Sequence, residues 1–181
     1  MPYEPPPDLA GLPLAEIAAL MAARRLPPVE QWHPERSGDS EMRIAADGRW
    51  FHQGGEITRP AMIRAFSSLL RRDAEGQHWL VTPQERLTIA VDDAAFMAID
   101  MAEQDGALAF RLNSDDTVIA GPEHVLIARG DPDVPAIYLG VRHGCEARLT
   151  RSTYGQLAGL ALASGRLAVS SMGCDFPLVP A

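Results

Sequence analysis

The sequence of 181 residues contains no lysine, and all 16 of its basic residues are arginines. Without lysine the chain cannot form a Walker-type P-loop, a Schiff base, a pyridoxal-phosphate site or a protein-kinase active site. A Ser-x-x-Lys nucleophile is excluded for the same reason. The absence of lysine, together with abundant alanine and proline, is typical of a GC-rich bacterial genome, so the arginines do not by themselves indicate a function.

Positive charge is also scarce overall, because 24 acidic residues give the chain a net charge of −8. This balance argues against binding to duplex nucleic acid or to an anionic membrane, which requires an excess of positive side chains. The charge is unevenly divided: residues 1–90 hold ten arginines and twelve acidic residues, whereas residues 91–181 hold six and twelve. A local positive patch is therefore more easily built in the first half.

Cysteines and long apolar segments are the other scarce features. The two cysteines, Cys145 and Cys174, are too few for a disulfide framework, and the sequence does not say whether they lie close together. No segment reaches the roughly 18 apolar residues of a membrane-spanning helix. The N-terminus lacks the basic start and uninterrupted apolar run of a signal peptide. We therefore expect a cytoplasmic protein that does not bind membranes.

An N-terminal helix is predicted by apolar residues at helical spacing over residues 12–25. It follows a proline-rich extended lead, residues 1–7, and Pro27-Pro28 end it. The first 27 residues are therefore expected to form a tail and a helix ahead of the main fold.

A first α+β unit is predicted over residues 28–92. Asp47-Gly48 lies between two short apolar segments and predicts a tight β-hairpin, because these residues accept the positive φ angles of the turn. An extended segment is expected over residues 29–33 and a polar turn at Ser37-Gly38-Asp39. A helix beginning near Pro60 has an apolar stripe that continues to Leu70, and the opposite, solvated side carries Arg64, Arg71 and Arg72. The predicted strands are 42–45, 50–52, 78–82 and 85–91.

A second, β-rich unit is predicted over residues 93–181, where turn residues separate short apolar segments. A last amphipathic helix over residues 152–163 precedes Gly165, which is placed to cap its end, and a short strand follows near 166–170. The fold class is therefore α+β, with an N-terminal helix and two tandem β-rich units that each carry one amphipathic helix. The predicted strands ahead of the last helix are 95–103, 107–112, 117–120, 124–129 and 136–142.

The two units contain a similar short segment. Residues 52–59 (HQGGEITR) are predicted to lead directly into the second helix, and residues 143–151 (HGCEARLTR) directly into the last one. Both contain His, Gly, Glu, an aliphatic residue, Thr and Arg in that order, and both occur between strands and a helix. A tandem duplication that divides between Val91 and Phe96 would explain the similarity, and chance is the alternative.

Arginine and histidine residues in and beside these segments are the candidate ligand-binding residues. A helix N-terminus presents free amides and the positive end of the helix dipole, so an arginine beside it favours an anion. If the two copies pack symmetrically, these side chains meet in a groove between the halves, where ligands commonly bind. The alternative is that each arginine pairs with one of the surplus acidic residues. The candidates are Arg43, His52 and Arg59 in the first unit and Arg142, His143 and Arg151 in the second.

Sequence signals for catalysis or for a metal are weak. There is no GxGxxG, GxSxG, HExxH or CxxC motif. His143, Cys145 and Cys174 are conceivable zinc ligands, but a turn histidine and small buried thiols explain them better. The many aspartates lie in turns or at strand ends, where they commonly bond the local backbone. We therefore expect no metal and no cofactor, and no residue is assigned a catalytic role. An enzyme stays an alternative, and it would need a pocket in which His52 or His143 lies within hydrogen-bond reach of a carboxylate.

Seven segments between about Val29 and Leu162 together resemble a known family. They are 38–44 (GDSEMRI), 47–54 (DGRWFHQG), 57–59 (ITR), 66–72 (FSSLLRR), 80–85 (LVTPQE), 92–96 (DDAAF) and 141–148 (VRHGCEAR). In that order they resemble domain-of-unknown-function family 1285, a group of small bacterial proteins. The chain departs from the family pattern at Ala95, where proline is usual, and at His124-Val125, where His-Pro is usual.

The resemblance implies a duplicated core, a C-terminal half similar to pleckstrin-homology-like folds, a ligand at the interface between the halves and a role in signal transduction. The family has no established reaction, so it implies no catalytic residue. From the residues and the resemblance we expect a non-enzymatic binding module for a small anionic, nucleotide-like ligand. The alternative is a protein-interaction or scaffold component of a signalling pathway, contacting its partner through the first helix or an exposed strand edge.

Overall fold

Two six-stranded β-sheets, formed one after the other along the chain, are the main elements of the computed structural model, which describes residues 6–181. The first sheet contains β1 (Arg36–Ile44), β2 (Trp50–His52), β3 (Gly55–Ile57), β4 (Leu70–Arg72), β5 (His78–Val81) and β6 (Glu85–Val91). The second contains β7 (Phe96–Gln104), β8 (Ala107–Leu112), β9 (Thr117–Ile119), β10 (Leu126–Asp131), β11 (Val134–Arg142) and β12 (Cys145–Leu149). A separate hairpin is formed by β13 (Ala168–Ser171) and β14 (Cys174–Pro177), and the helices are α1 (Leu14–Ala23), α2 (Pro60–Ser67) and α3 (Arg151–Ser164).

The two sheets have the same strand order. The first reads β3-β2-β1-β6-β5-β4, and the second, taken from its opposite edge, reads β9-β8-β7-β12-β11-β10. In each unit the first strand lies parallel to the sixth, and every other neighbour is antiparallel. The predicted α+β class with two tandem β-rich units is confirmed. The pleckstrin-homology-like character of the second unit stays a prediction.

One hydrophobic core runs through both units. Trp50 and Leu70 of the first sheet and Phe96 and Leu139 of the second belong to the same buried cluster. Buried and exposed residues alternate along the strands, and the buried ones form this core. In β1, for example, Met42 and Ile44 are buried while the intervening Arg43 is exposed. The two sheets are therefore joined by continuous apolar packing.

The first unit differs from prediction in three places. The segment Ser37-Gly38-Asp39 is part of β1 rather than a turn, because it pairs in parallel with residues 86–88 of β6. The second helix ends at Ser67, and Leu70 begins a strand. A turn at Gln53-Gly54, with φ angles of 50° and 83°, leads into β3. This strand was not predicted, because the consecutive glycines Gly54 and Gly55 indicate a break in a strand rather than the start of one.

The second unit contains two strands that were not predicted. His143 and Gly144, with φ angles of 51° and 78°, form a hairpin turn into β12, so the segment 143–151 does not lead directly into α3. The C-terminal tail folds back as β14 against β13. The predicted limits of α3 follow from its caps: Thr150 Oγ1 accepts a hydrogen bond from the Thr153 amide at 3.3 Å, and Gly165 ends the helix at φ 69°.

The N-terminal segment packs on the second unit although it precedes the first along the chain. Leu9 and Ile17 are buried against Ala109 of β8, and the Arg111 guanidinium donates to the Pro7 carbonyl at 2.7 Å. The chain then crosses to the first unit, where it begins β1. No helix within residues 6–181 is long and apolar enough to cross a bilayer.

Candidate functional site

Arg43 and His52 lie on neighbouring strands but on opposite faces of the first sheet, because Arg43 pairs with Phe51 and His52 with Met42. The Arg43 guanidinium donates to both carboxylate oxygens of Asp92, with Nη2 2.5 Å from Oδ2, and lies 5.9 Å from the centroid of the Phe51 ring. His52 is exposed at the end of β2. The charge of Arg43 is thus neutralised by an aspartate, which is the alternative raised by the sequence.

Arg142 lies at the seam between the two units, with its side chain only 13% exposed. Its Nη2 atom donates to Asp116 Oδ2 at 3.1 Å and to the Ser67 carbonyl at 3.4 Å, and its guanidinium lies 5.0 Å from the centroid of the Phe96 ring. These contacts join β11 to the end of α2. Arg142 therefore acts as a buried link between the units.

Asp116 is the shared carboxylate of this seam network, which also includes the C-terminal end of α1. It accepts from Arg24 Nε at 2.5 Å, from Arg142 at 3.1 Å and from the Ser114 hydroxyl at 2.6 Å. Burial raises the pKa of Asp116, but Arg142, Ser114 and Arg24 together outweigh burial and hold it below its usual value. Burial lowers the pKa of Arg142, which stays charged at neutral pH because a guanidinium does not lose its proton in proteins.

His143 ties the second unit to β4 through its backbone. Its carbonyl accepts from the Arg72 amide at 2.9 Å, and its Nδ1 lies 3.7 Å from Glu30 Oε2. Burial lowers the pKa of His143; Glu30 opposes this shift, while Arg142 and Arg71 add to it. The imidazole is therefore mostly neutral at neutral pH.

Arg59 and Arg151 lie at the starts of α2 and α3, where both side chains are exposed and form no ion pair with any described residue. Within residues 6–181, no hydrogen bond, ion pair or ring contact joins a candidate of the first unit to one of the second. The two similar segments also occupy different places in the repeated strand order, because β2 is the second strand of its sheet and β11 the fifth. Ligand binding by these six residues stays a prediction.

A groove of about 320 Å³ lies on the outer face of the first sheet. The cross-strand pairs Arg71–Trp79 and Val81–Arg86 place four side chains on this face, while the alternate residues of β4 and β5 face the core. Residues 32–34 (Trp-His-Pro), from the segment between α1 and β1, line the groove as well. We call this site the tryptophan–arginine groove.

Trp79 is held in place from two sides. Its indole Nε1 donates to Asp73 Oδ2 at 2.9 Å, and the Arg86 guanidinium stacks on its ring at 4.2 Å from the centroid. The other oxygen of Asp73 accepts the amides of Glu75 and Gln77 in the β4–β5 turn. The hydrogen bond from Trp79 lowers the pKa of Asp73, which is therefore ionised at neutral pH.

The two arginines of the groove differ from most others in the protein. Nine of the 16 arginines pair with a carboxylate within the described residues, and neither Arg71 nor Arg86 is among them. Trp32, which also lines the groove, has no ring or guanidinium stacked on it from residues 6–181. The groove thus combines two positive charges that no described carboxylate pairs with and a half-buried indole on which no described ring or guanidinium stacks.

Sequence reasoning did not identify the groove. Arg71 was expected on the outer face of a helix, and Trp32 in a separate extended segment, so nothing placed them together. The available signal was the alternation of Trp79 with Val81 on a predicted strand, since it puts an indole on the face opposite Leu80. Among the six candidates, His143 lies close enough to Arg71 of the groove for that charge to lower its pKa.

Neither a cluster of metal ligands nor an activated thiol at Cys145 is present in the part of the chain that the structure describes. No group of three or more His, Cys, Asp or Glu side chains is arranged to hold a metal within residues 6–181. Cys145 and Cys174 are both free thiols. Burial raises the pKa of Cys145 to about 12, so its reactive thiolate is scarce at neutral pH.

The fold defines a two-domain α+β protein built from two sheets of identical strand order. The chain belongs to the DUF1285 family of proteins of unknown function. Residues 27–94 match the N-terminal domain of the family and residues 94–178 match its C-terminal domain. The resemblance seen in the sequence is thereby confirmed, and α1 lies outside both matched segments.

Two solved structures of family members have the same fold. A DUF1285 family protein from Silicibacter pomeroyi is 38% identical, with 91% of this chain and 94% of that chain covered and a TM-score of 0.74. A DUF1285 family protein from Shewanella baltica is 21% identical, with 65% of this chain and 90% of that chain covered and a TM-score of 0.54, and this likeness concerns the fold alone. No functionally curated protein matches the chain.

Proposed function

We propose that this protein is a non-enzymatic binding module for a small anionic, nucleotide-like ligand, and that the ligand binds in the tryptophan–arginine groove. The observation that carries the proposal is that Arg71 and Arg86 share one groove with two tryptophans and pair with no described carboxylate. In a chain with 24 acidic residues, arginines left without such a partner beside an aromatic wall favour an anion with a flat ring.

The groove also lies near the seam between the two units. Arg71 and Arg72 are consecutive in β4: the Arg71 side chain lines the groove, and the Arg72 amide bonds to His143 of the second unit. A bound anion would thus contact a strand that the second unit holds. A module of this kind would report the level of its ligand, in line with the role in signal transduction that the family resemblance implies.

Thermal-shift screening against nucleotides and phosphorylated metabolites tests the proposal. A ligand at about 100 times its Kd stabilises the folded protein by about 2.7 kcal/mol, which corresponds to a rise in Tm of about 5–10 °C for a chain of this size. We expect at least one compound to raise Tm saturably. The variant Arg71→Ala should lose most of that rise.

The matched control is Arg25→Ala, which removes the same charge from an exposed side chain that does not line the groove and forms no ion pair with a described residue. It should retain the full rise in Tm. The proposal fails if no compound in the panel stabilises the wild type. Binding in this groove is contradicted if Arg71→Ala and Arg25→Ala respond alike.

A further inference from the structure

We infer that the tryptophan–arginine groove selects a nucleoside monophosphate, with the base stacked on Trp32 and the phosphate held between Arg71 and Arg86. This inference rests on the proposed function and narrows it to one class of ligand. Three features of the groove carry it: its size, its charge and the Trp32 indole, on which no described ring or guanidinium stacks.

The size of the groove suits one ring system and one phosphate. Small-molecule sites commonly measure roughly 300–1,000 Å³, and at about 320 Å³ this groove lies near the lower limit. Val81, which lines it, is only 2% exposed, so the sheet closes the groove from below. A dinucleotide, with two bases and two phosphates, would extend beyond the residues that line it.

The charge of the groove suits a single phosphate. A phosphate monoester carries about −1.5 to −2 at neutral pH, and the positive charges facing it are those of Arg71 and Arg86. Asp73 lies in the same groove, where its oxygens accept the Trp79 indole and two backbone amides. Additional phosphates would add negative charge beside this carboxylate with no further arginine in the groove to balance it.

The position of the base follows from the contacts that each of the two groove indoles, Trp79 and Trp32, already makes. Arg86 stacks on Trp79 at 4.2 Å from the ring centroid, and the Trp79 N–H is held by Asp73, so this ring is already engaged. Trp32 is half-buried and carries no stacked ring or guanidinium from the described residues. A base would therefore stack on Trp32, and Arg86, fixed by Trp79, would be pre-oriented toward the phosphate.

Isothermal titration calorimetry on the full chain tests the inference with AMP, UMP, adenosine, ATP and inorganic phosphate as probes. We expect a nucleoside monophosphate to bind more tightly than inorganic phosphate, adenosine or ATP. The variant Trp32→Ala should weaken binding of the monophosphate by about 5- to 150-fold, the loss expected when one base loses its aromatic stacking partner. Its affinity for inorganic phosphate should not change.

Trp32→Phe should retain most of the affinity, since it keeps an aromatic ring; Trp32→Leu, which keeps apolar volume without a ring, replaces Trp32→Ala if that variant does not fold. The inference is overturned if ATP or inorganic phosphate binds as tightly as AMP and UMP, or if Trp32→Ala binds AMP unchanged. If ATP binds as tightly, or if Trp32→Ala has no effect, a nucleotide-like anion still binds and the proposed function stands; if inorganic phosphate binds as tightly, only anion binding stands. If none of the probes binds, or if adenosine binds as tightly as AMP, the proposed function itself fails.

Discussion

Replacing Asp116 with asparagine should destabilise the fold at the seam between its two units. The substitution keeps the size of the side chain and removes its charge, so Arg24 and Arg142 lose the carboxylate that they share. Asp116 is 3% exposed, and the two arginine side chains are 17% and 13% exposed. Two guanidinium groups would thus remain in a largely dry environment without a counter-ion.

Breaking a buried ion pair by removing one partner typically costs about 3–5 kcal/mol. Because both arginines retain some contact with water, we take the lower end, about 3 kcal/mol. For a domain of this size the loss corresponds to a fall in Tm of about 6–12 °C. The matched control is Asp92→Asn, which removes the partner of Arg43 at an exposed position, where ion pairs contribute less.

Urea denaturation followed by circular dichroism measures the loss, and its pH dependence provides a second test. The folded pKa of Asp116 lies below its ordinary value of 3.8, so its stabilisation is complete above that pH and is lost as the pH falls through the folded pKa. The difference between wild type and Asp116→Asn should therefore shrink below about pH 4. Equal losses for Asp116→Asn and Asp92→Asn, or a difference that grows in acid, would refute the reasoning.

Three further substitutions or reactions test local features of the fold. Gly48→Ala should lower the free energy of unfolding by about 1–3 kcal/mol, measured by denaturation, because the φ of Gly48 is 88° and the new Cβ would lie 2.4 Å from Met97 Cγ. Gly54 has a similar φ but open space around it, so Gly54→Ala should lower the free energy of unfolding by less. Equal losses for the two variants would contradict the role of packing against Met97. Thr150→Ala should lower the free energy of unfolding by about 0.5–2 kcal/mol, because α3 loses its N-cap. Thr150→Ser keeps the hydroxyl and should retain the stability of the wild type. Equal stability of the two variants would show that the hydroxyl does not cap the helix. Cys145 should resist iodoacetamide at pH 8 in the native protein, since burial raises its pKa to about 12, and rapid alkylation read by mass spectrometry would show that it is accessible.

Local sequence signals predicted those parts of the fold that local interactions determine. The turn at Asp47-Gly48 and the end of α3 at Gly165 depend on φ angles that few residues accept, so a short segment suffices to predict them. Ser37-Gly38-Asp39 has the composition of a turn but forms a strand, because β6, nearly fifty residues later in the chain, supplies its hydrogen-bonding partners. That pairing is non-local, and no pattern within the segment reports it.

The candidate site could be predicted less well than the fold, since it depends on which charges meet in space. From its place in the sequence Arg142 was predicted to bind an anion, yet Asp116, from the turn between β8 and β9, neutralises its charge. Arg71 resembles a residue on the outer face of a helix, yet β4 places it opposite Trp79. The sequence did predict that local positive charge is more easily built in the first half, where Arg71 and Arg86 both lie.

The strand order that the two units share does not account for the position of the groove. Both units use the same six-strand arrangement, but α2 lies between the third and fourth strands of the first sheet, whereas α3 follows the sixth strand of the second. The tryptophan–arginine groove lies on the first sheet and uses residues 32–34, which precede β1. The site therefore arises from what differs between the units.

Nuclear magnetic resonance of the three tryptophan indole N–H groups during titration with AMP tests the central claim most directly. Trp32 and Trp79 line the groove, while Trp50 is 1% exposed in the core and serves as an internal reference. We expect the Trp32 and Trp79 resonances to shift saturably in the wild type and not in Arg71→Ala, with Trp50 unmoved in both. Resonances of Trp32 and Trp79 that stay in place at millimolar AMP, or that shift alike in wild type and Arg71→Ala, would contradict the account.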